Sequence, residues 1–153
     1  MYYIDTNSII QECCYSRGVG VWYRGEIGQL KAKASPTAGL AATLHSAGDK
    51  GFHHIRVYYQ GQYRLSPPHA THLLKHPAEP ETGIIAELVN DGQWHSGDLS
   101  IPDALSGTNL AVVSYYFQDQ TQIRVYYQAR DLSLKEYGRN KNGWFEGQLI
   151  TPV

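Results

Sequence analysis

Three types of side chain that could bind a polar ligand recur along the chain, namely arginine, glutamate and tryptophan. Guanidinium and carboxylate groups form charge-assisted hydrogen bonds with vicinal hydroxyls, and an indole ring can cover an apolar surface. A pyranose sugar offers both kinds of surface, so the set suits a sugar-binding site. The candidate residues are Arg56, Glu87, Trp144, Arg124, Glu136, Glu12 and Trp94.

The same residues also allow a purely structural interpretation. An arginine and a glutamate at fixed positions could form a cross-strand ion pair, and each tryptophan could pack between neighbouring units. The tyrosines that follow each arginine, such as Tyr58 and Tyr126, are expected to be structural. Recurrence of the whole set, rather than of one pair, favours ligand binding over this alternative.

The candidate residues belong to a motif that repeats along the chain. The hexapeptide Ile-Arg-Val-Tyr-Tyr-Gln at residues 55–60 recurs unchanged at 123–128, and residues 2–3 retain its Tyr-Tyr. Each unit continues with an apolar stretch that reaches a glutamate. A tryptophan with a glycine three residues later follows, as Trp22 with Gly25, Trp94 with Gly97 and Trp144 with Gly147.

The spacing of the repeat indicates the fold class. Trp94 and Trp144 are 50 residues apart, which is typical of a β-propeller blade. Residues 55–59 alternate in the manner of a strand. We therefore predict an all-β chain whose blades each have four antiparallel strands: a small apolar inner strand such as 40–44, an arginine strand, a glutamate strand and an outer tryptophan strand.

The blades are predicted to cover the whole chain as one partial propeller domain of about two and three-quarter blades. The ranges are a remnant at 1–33, a blade at 34–103 and a blade at 104–153. The second blade is too long, and its surplus, rich in proline and histidine, lies at about 61–82, where we expect an exposed excursion. The first unit is expected to lack an inner strand and the arginine that matches Arg56.

The combination of Ile-Arg-Val-Tyr-Tyr-Gln, a glutamate 12 residues after Arg124, and Trp-x-x-Gly resembles the fungal fucose-specific lectins of the Aleuria aurantia type. The resemblance covers nearly the whole chain except the insertion. It implies a six-bladed ring, formed within one chain or by oligomerisation, with fucose or fucosylated glycans bound between adjacent blades. The expected partners are therefore fucosylated glycans and further copies of the chain, which would associate through open blade edges.

The resemblance also implies roles for individual residues. Arg56 and Glu87 would hold hydroxyl or ring oxygens, and Trp144 from the next blade would form the apolar wall. Arg124 and Glu136 would form a second site, whose tryptophan must come from a following blade, for example in another copy. A third site, with Glu12 and Trp94, lacks an arginine and is not expected to bind without a partner that supplies one.

Composition and motifs exclude several other functions. The net charge of −1 shows no excess of basic residues of the kind that binds nucleic acid, and no apolar run is long enough for membrane insertion. The two cysteines, Cys13 and Cys14, are neighbours on one strand and are not expected to form a disulfide. The start has no signal peptide, so we expect a cytoplasmic or non-classically released protein, or a piece whose start is missing.

No catalytic motif is present, so an enzyme is not expected. Two alternatives stay open: a lectin-like scaffold that acts on a small apolar molecule, as in pericyclases of fungal secondary metabolism, and a truncated fragment that binds nothing. His69, His72 and His76 would share a helical face that suits zinc, but Pro68 and Pro77 leave barely two turns. Neither a metal nor another cofactor is expected.

Overall fold

The computed structural model describes residues 1–46, 53–61 and 83–150. This part of the chain forms strands throughout, with one short 3-10 helix at Ile27–Leu30. The strands are β1 (Tyr2–Ile4), β2 (Ile10–Ser16), β3 (Val21–Arg24), β4 (Leu40–Ser46), β5 (His53–Gln60), β6 (Ile85–Asn90), β7 (Trp94–Ile101), β8 (Ala111–Phe117), β9 (Gln120–Gln128), β10 (Leu134–Asn140) and β11 (Gly143–Leu149). The prediction of an all-β chain is confirmed.

The strands form three antiparallel sheets that follow one another along the chain. The first sheet has the order β1-β2-β3, the second β4-β5-β6-β7 and the third β8-β9-β10-β11. Each four-stranded sheet begins with the apolar inner strand and continues with the arginine strand, the glutamate strand and the tryptophan strand. This is the order of strands expected from the repeat.

Alternation along the strands explains how the sheets stack. Strand β5 directs Val57 into an apolar cluster with Ile10 of the first sheet, and directs Tyr58 into another with Ile123 of the third. Side chains of successive strand residues point to opposite faces, so one strand can supply both clusters. The second sheet is therefore covered on both faces.

Gln60, which is fully buried at the end of β5, joins the second sheet to the loop before the third. Its Nε2 donates to the carbonyl oxygens of Gly83 (3.2 Å) and Leu105 (2.8 Å), and its Oε1 accepts from the Gly107 N–H (2.7 Å). Every polar atom of the amide thus has a partner, as buried groups require. Corresponding inner strands also touch, since the Thr43 and Ser114 hydroxyls are 2.7 Å apart.

Within the described residues, hairpin turns at one edge of the sheets connect β6 to β7, β8 to β9 and β10 to β11. The β8–β9 turn has two central residues, Gln118 and Asp119, with φ of 48° and 58°. Two consecutive positive φ angles match the right-handed twist of the flanking strands. Residues of the β6–β7, β8–β9 and β10–β11 turns line one cavity, so the hairpin edges of the second and third sheets lie side by side.

Several expectations concern other parts of the chain. Most of the insertion predicted at about 61–82, with His69, His72 and His76, lies outside the described residues. Within the described ranges, no helix is long and apolar enough to cross a membrane, and no three metal-ligating side chains cluster. The thiols of Cys13 and Cys14 are free.

Candidate functional site

A buried ion pair lies on the face of the second sheet that is turned to the third. Arg56 Nη1 on β5 donates to Glu87 Oε1 on β6 at 2.5 Å, and the exposed fractions of the two side chains are 9% and 1%. Tyr58, directly opposite Glu87 in the β5–β6 pairing, donates its hydroxyl to the same oxygen at 3.0 Å. Burial, with the charge of Glu87, raises the pKa of Tyr58, so its hydroxyl stays a donor.

A buried ion pair gives weak stabilisation, because desolvating both charges offsets much of their attraction. The cross-strand ion pair considered from the sequence is thus present, but stability alone does not account for it.

Gly97 makes room for the glutamate. The β6–β7 pairing shifts register beside Glu87, and a Cβ atom on Gly97 would lie 2.1 Å from Glu87 Oε2. Gly25 stands in the same relation to Glu12, at 2.0 Å from Oε2. The glycine of the Trp-x-x-Gly motif is therefore the position over which the carboxylate of each repeat lies.

Trp144, on the third sheet, packs against Tyr58. Its ring meets that of Tyr58 edge to face, with centroids 6.1 Å apart and an interplanar angle of 86°. Tyr58 thus touches both Glu87 and Trp144, and the three residues that the sequence predicted to share a site lie around this one tyrosine. We call this group of Arg56, Tyr58, Glu87 and Trp144 the Arg56 slot.

Three polar atoms of the Arg56 slot are buried without a hydrogen-bond partner among the described residues: Arg56 Nε, Glu87 Oε2 and Trp144 Nε1. A buried polar group left unpaired costs about 1–3 kcal/mol, and native structures rarely retain one without a reason. Two of the atoms are donors and the glutamate oxygen is an acceptor. A ligand with several hydroxyls that reached these atoms would supply the missing partners.

The boundary between the first and second sheets repeats this arrangement without an arginine. Tyr2 donates its hydroxyl to Glu12 Oε1 at 2.9 Å, and its ring meets Trp94 at a centroid distance of 6.0 Å and an angle of 80°. No lysine or arginine of the described ranges pairs with Glu12. Glu12 and Trp94 are thus brought together through a tyrosine, but the guanidinium is missing.

The third sheet carries the polar half of another such site on its outer face. Arg124 Nε lies 3.3 Å from Glu136 Oε1, and their side chains are 17% and 22% exposed. The guanidinium carbon lies 5.6 Å from the Tyr115 ring centroid and 5.2 Å from that of Phe145. No tryptophan of the described residues packs against this pair.

The repeated tyrosine and glycine were not assigned to the site by sequence reasoning. Tyr58 was assigned a structural role, and the glycines served only as landmarks of the repeat. The sequence does contain a signal, because a tyrosine lies two residues after the arginine of each repeated hexapeptide and a glycine lies three residues after each tryptophan. The pairing of Tyr58 with Glu87 across the strands became evident only from the register.

Comparison with known proteins identifies the fold. A fucose-specific lectin of Aleuria aurantia is 24% identical over 147 residues, which cover 96% of this chain and 40% of that protein. A crystal structure of Aleuria aurantia lectin, described as a six-bladed β-propeller, superposes with a TM-score of 0.75 at 25% identity, covering 99% of this chain and 42% of the lectin. The chain thus spans about two fifths of the length of these relatives.

Another solved structure is closer in length to this chain. A fucose lectin from Kordia zhangzhouensis in complex with methyl-fucoside superposes with a TM-score of 0.67 at 27% identity, over 96% of this chain and 87% of that one. The family model described as fungal fucose-specific lectin matches residues 73–152, just over half of the chain. The three sheets are therefore blades of a β-propeller, and the chain belongs to the fungal fucose-specific lectin family.

Proposed function

We propose that this chain is a lectin that binds L-fucose and fucosylated glycans in the Arg56 slot. The observation that carries the proposal is the set of unpaired polar atoms on Arg56, Glu87 and Trp144 around the Tyr58 ring. A sugar bound there would give each of them a partner. The Kordia lectin and the Aleuria lectin, both solved with a methyl fucoside, support the choice of sugar.

The chemistry of the slot fits a sugar that is polar on one side and apolar on the other. Arg56 Nε and Trp144 Nε1 can donate to hydroxyl or ring oxygens, and Glu87 Oε2 can accept from a hydroxyl. The methyl group of fucose would lie on an aromatic ring, where burial of a few tens of Å² contributes less than about 1 kcal/mol. A single slot should therefore bind with modest affinity.

Isothermal titration with methyl α-L-fucoside, with galactose as the control sugar, tests this proposal. We expect saturable binding of the fucoside and none of galactose. Arg56→Ala should remove one site per chain, since it deletes charge-assisted hydrogen bonds worth about 1.5–3 kcal/mol. The matched control is Arg17→Ala, which removes the same charge from an exposed turn of the first sheet. Unchanged stoichiometry in Arg56→Ala would show that the sugar binds elsewhere.

We also propose that a second copy of the chain completes the open site at Arg124 and Glu136. Trp94 packs on Tyr2 and Trp144 packs on Tyr58, so the corresponding Tyr126 should receive a tryptophan from the next sheet in the ring. The sequence has three tryptophans, and the one not used in this way is Trp22, which is 58% exposed. The first sheet of a second copy can therefore supply it.

The surfaces at the two ends of the chain support this association. Several large apolar side chains are exposed on the first sheet, namely Tyr15, Val21, Trp22 and Tyr23. A similar group is exposed on the third sheet, namely Val113, Tyr115, Tyr116, Phe117 and Phe145. Exposed apolar surface of this kind marks a protein interaction site. Two copies, each with three blades, would close a ring of six.

Size-exclusion chromatography with light scattering tests the association. We expect a dimer that binds two fucosides per chain, one in the Arg56 slot and one at the completed Arg124 site. Trp22→Ala should lower the stoichiometry to one and leave the Arg56 slot occupied. A folded protein that is strictly monomeric at all concentrations would contradict ring closure, without bearing on the Arg56 slot.

A further inference from the structure

A cleft of about 520 Å³ lies at the hairpin edge between the second and third sheets and shares Arg56 with the slot described above. We call it the His45 cleft. Its lining includes His45 and His54 from the β4–β5 hairpin and Arg139 from the end of β10. A ligand bound in the Arg56 slot could therefore extend into this cleft.

Arg139 is a charged group of the cleft for which the described residues provide no partner. Within the described residues its guanidinium forms no ion pair and donates no hydrogen bond. It lines the cleft together with His45 and Arg56 of the second sheet. An unpaired guanidinium in a cleft is suited to a bidentate contact with a carboxylate or sulfate.

This arginine is specific to one of the blade boundaries. Arg139 stands directly opposite Trp144 in the β10–β11 pairing. The residue opposite Trp94 is Asn90, and the residue opposite Trp22 is Tyr15. The positive charge therefore accompanies the boundary that also has the complete set of Arg56, Glu87 and Trp144.

The two histidines add polar atoms to the same cleft. The rings of His45 and His54 are 5.2 Å apart, and His45 Nδ1 is buried without a hydrogen-bond partner among the described residues. Burial and the charge of Arg56 lower the pKa of His45 to about 4, so that it is neutral near pH 7. His45 can then act as a neutral hydrogen-bonding group, while Arg139 supplies the charge.

Asp91 and Asp119 balance Arg139 and Lys141 in formal charge, but neither carboxylate forms an ion pair with Arg139 within the described residues. Arg56 is paired with Glu87 inside the slot. Asp91 lies 3.1 Å from His95 Nε2. Asp119 and Lys141 are exposed in the lining at neighbouring turns and offset each other in charge.

We propose that Arg139, with His45, forms an anion subsite beside the Arg56 slot, so that this boundary prefers fucosylated glycans that carry an acidic group close to the fucose. The proposal rests on fucose binding in the Arg56 slot. The acidic group is a sulfate ester or the carboxylate of a sialic acid, each of which can present two charged oxygens on one atom to a guanidinium.

Glycan titrations test the preference. A neutral fucosylated oligosaccharide is compared with its sulfated and its sialylated form, on the unmodified protein, on Arg139→Asn and on Arg17→Asn. Arg139→Asn introduces the residue found opposite Trp94, and Arg17→Asn removes an equal charge far from the cleft. We expect one or both acidic forms to bind about tenfold more tightly than the neutral form, and this preference to disappear only in Arg139→Asn.

The titrations identify which acidic group is recognised, because the sulfated and the sialylated glycan are each compared separately with the neutral one. Equal affinity of all three glycans for the unmodified protein, with methyl α-L-fucoside still bound, would overturn the subsite and leave the fucose proposal intact. A gain that persists in Arg139→Asn would also overturn it.

Inorganic sulfate tests the subsite without any sugar. We expect a saturable change in tryptophan fluorescence when sulfate is added at millimolar concentration, because Trp144 stands opposite Arg139. This change should be lost in Arg139→Asn but not in Arg17→Asn. A sulfate response without fucoside binding would mean that the fucose proposal has failed and the anion site has not. Equal responses in all three proteins would refute the anion site.

Discussion

Replacing Gly97 with alanine should displace the carboxylate on which the site depends. The added Cβ would lie 2.1 Å from Oε2, 2.6 Å from Cδ and 2.7 Å from Cγ of Glu87. Contact with Cγ means that rotation of the carboxylate alone cannot relieve the clash. The side chain is 1% exposed and is hydrogen-bonded to Arg56 and Tyr58, so it has no alternative position without breaking those bonds.

The size of the effect follows from these contacts. Overpacking a filled interior costs about 1–3 kcal/mol. Separating Glu87 from Arg56 adds to this, because a buried charge that loses its partner is strongly unfavourable. We expect the free energy of unfolding to fall by at least about 2 kcal/mol and fucoside binding in the slot to be lost.

Urea unfolding of a graded series measures the effect. Gly18→Ala is the control, since a Cβ there has nothing within 4 Å, and its unfolding free energy should stay within about 0.5 kcal/mol of the unmodified protein. Gly147→Ala should be intermediate, because its Cβ meets Glu136 at 2.7 Å and that side chain is 22% exposed and can move. If Gly97→Ala proves as stable as Gly18→Ala, the glycine does not position the glutamate.

Three further perturbations follow from the structure. Burial and the Glu87 charge raise the pKa of Tyr58 above 10.0, so the unfolded chain ionises first and the free energy of unfolding falls as the pH rises past 10. Urea titrations at increasing pH should show a smaller fall in Tyr58→Phe than in the unmodified protein. A fall of the same size in both proteins would contradict this. The pKa of His45 is lowered from 6.5 to about 4, so the unfolded chain takes up the proton first and the free energy of unfolding falls as the pH drops through that range. His45→Gln should flatten this part of the plot of unfolding free energy against pH. An equally steep plot would rule out His45 as the source of the fall. Gln60→Ala leaves the Gly107 N–H without its partner at 2.7 Å, and two carbonyl oxygens without theirs. Thermal and urea unfolding should therefore show that the free energy of unfolding falls by about 2 kcal/mol or more. An unchanged free energy of unfolding would mean that water replaces the amide.

The sequence predicted the strands and their order well, for a physical reason. The side chains of residues 55–60 alternate between the two faces of the sheet, which places Val57 and Tyr58 on opposite faces. The same motif at 123–128 predicts a second strand of the same kind. The grouping of Arg56, Glu87 and Trp144 could also be expected from the sequence, because a repeated set of unlike residues is difficult to explain by packing alone, whereas their role in sugar binding stays a prediction. The boundaries of the units stay a prediction.

Contacts that depend on register could not be read from the sequence. Glu87 follows Tyr58 by 29 residues, and only the β5–β6 pairing shows that the two stand opposite each other. The importance of Gly97 depends in the same way on the register shift between β6 and β7. Arg139 falls outside the repeated motif, so nothing in the pattern singled it out before the third sheet was seen to face the second.

The most direct test of the central claim is a crystal structure of the protein with methyl α-L-fucoside. The account predicts the sugar between the second and third sheets, with Arg56 Nε, Glu87 Oε2 and Trp144 Nε1 within hydrogen-bonding distance of its oxygens. A fucoside bound away from these three residues, or an empty slot at saturating fucoside, would contradict it.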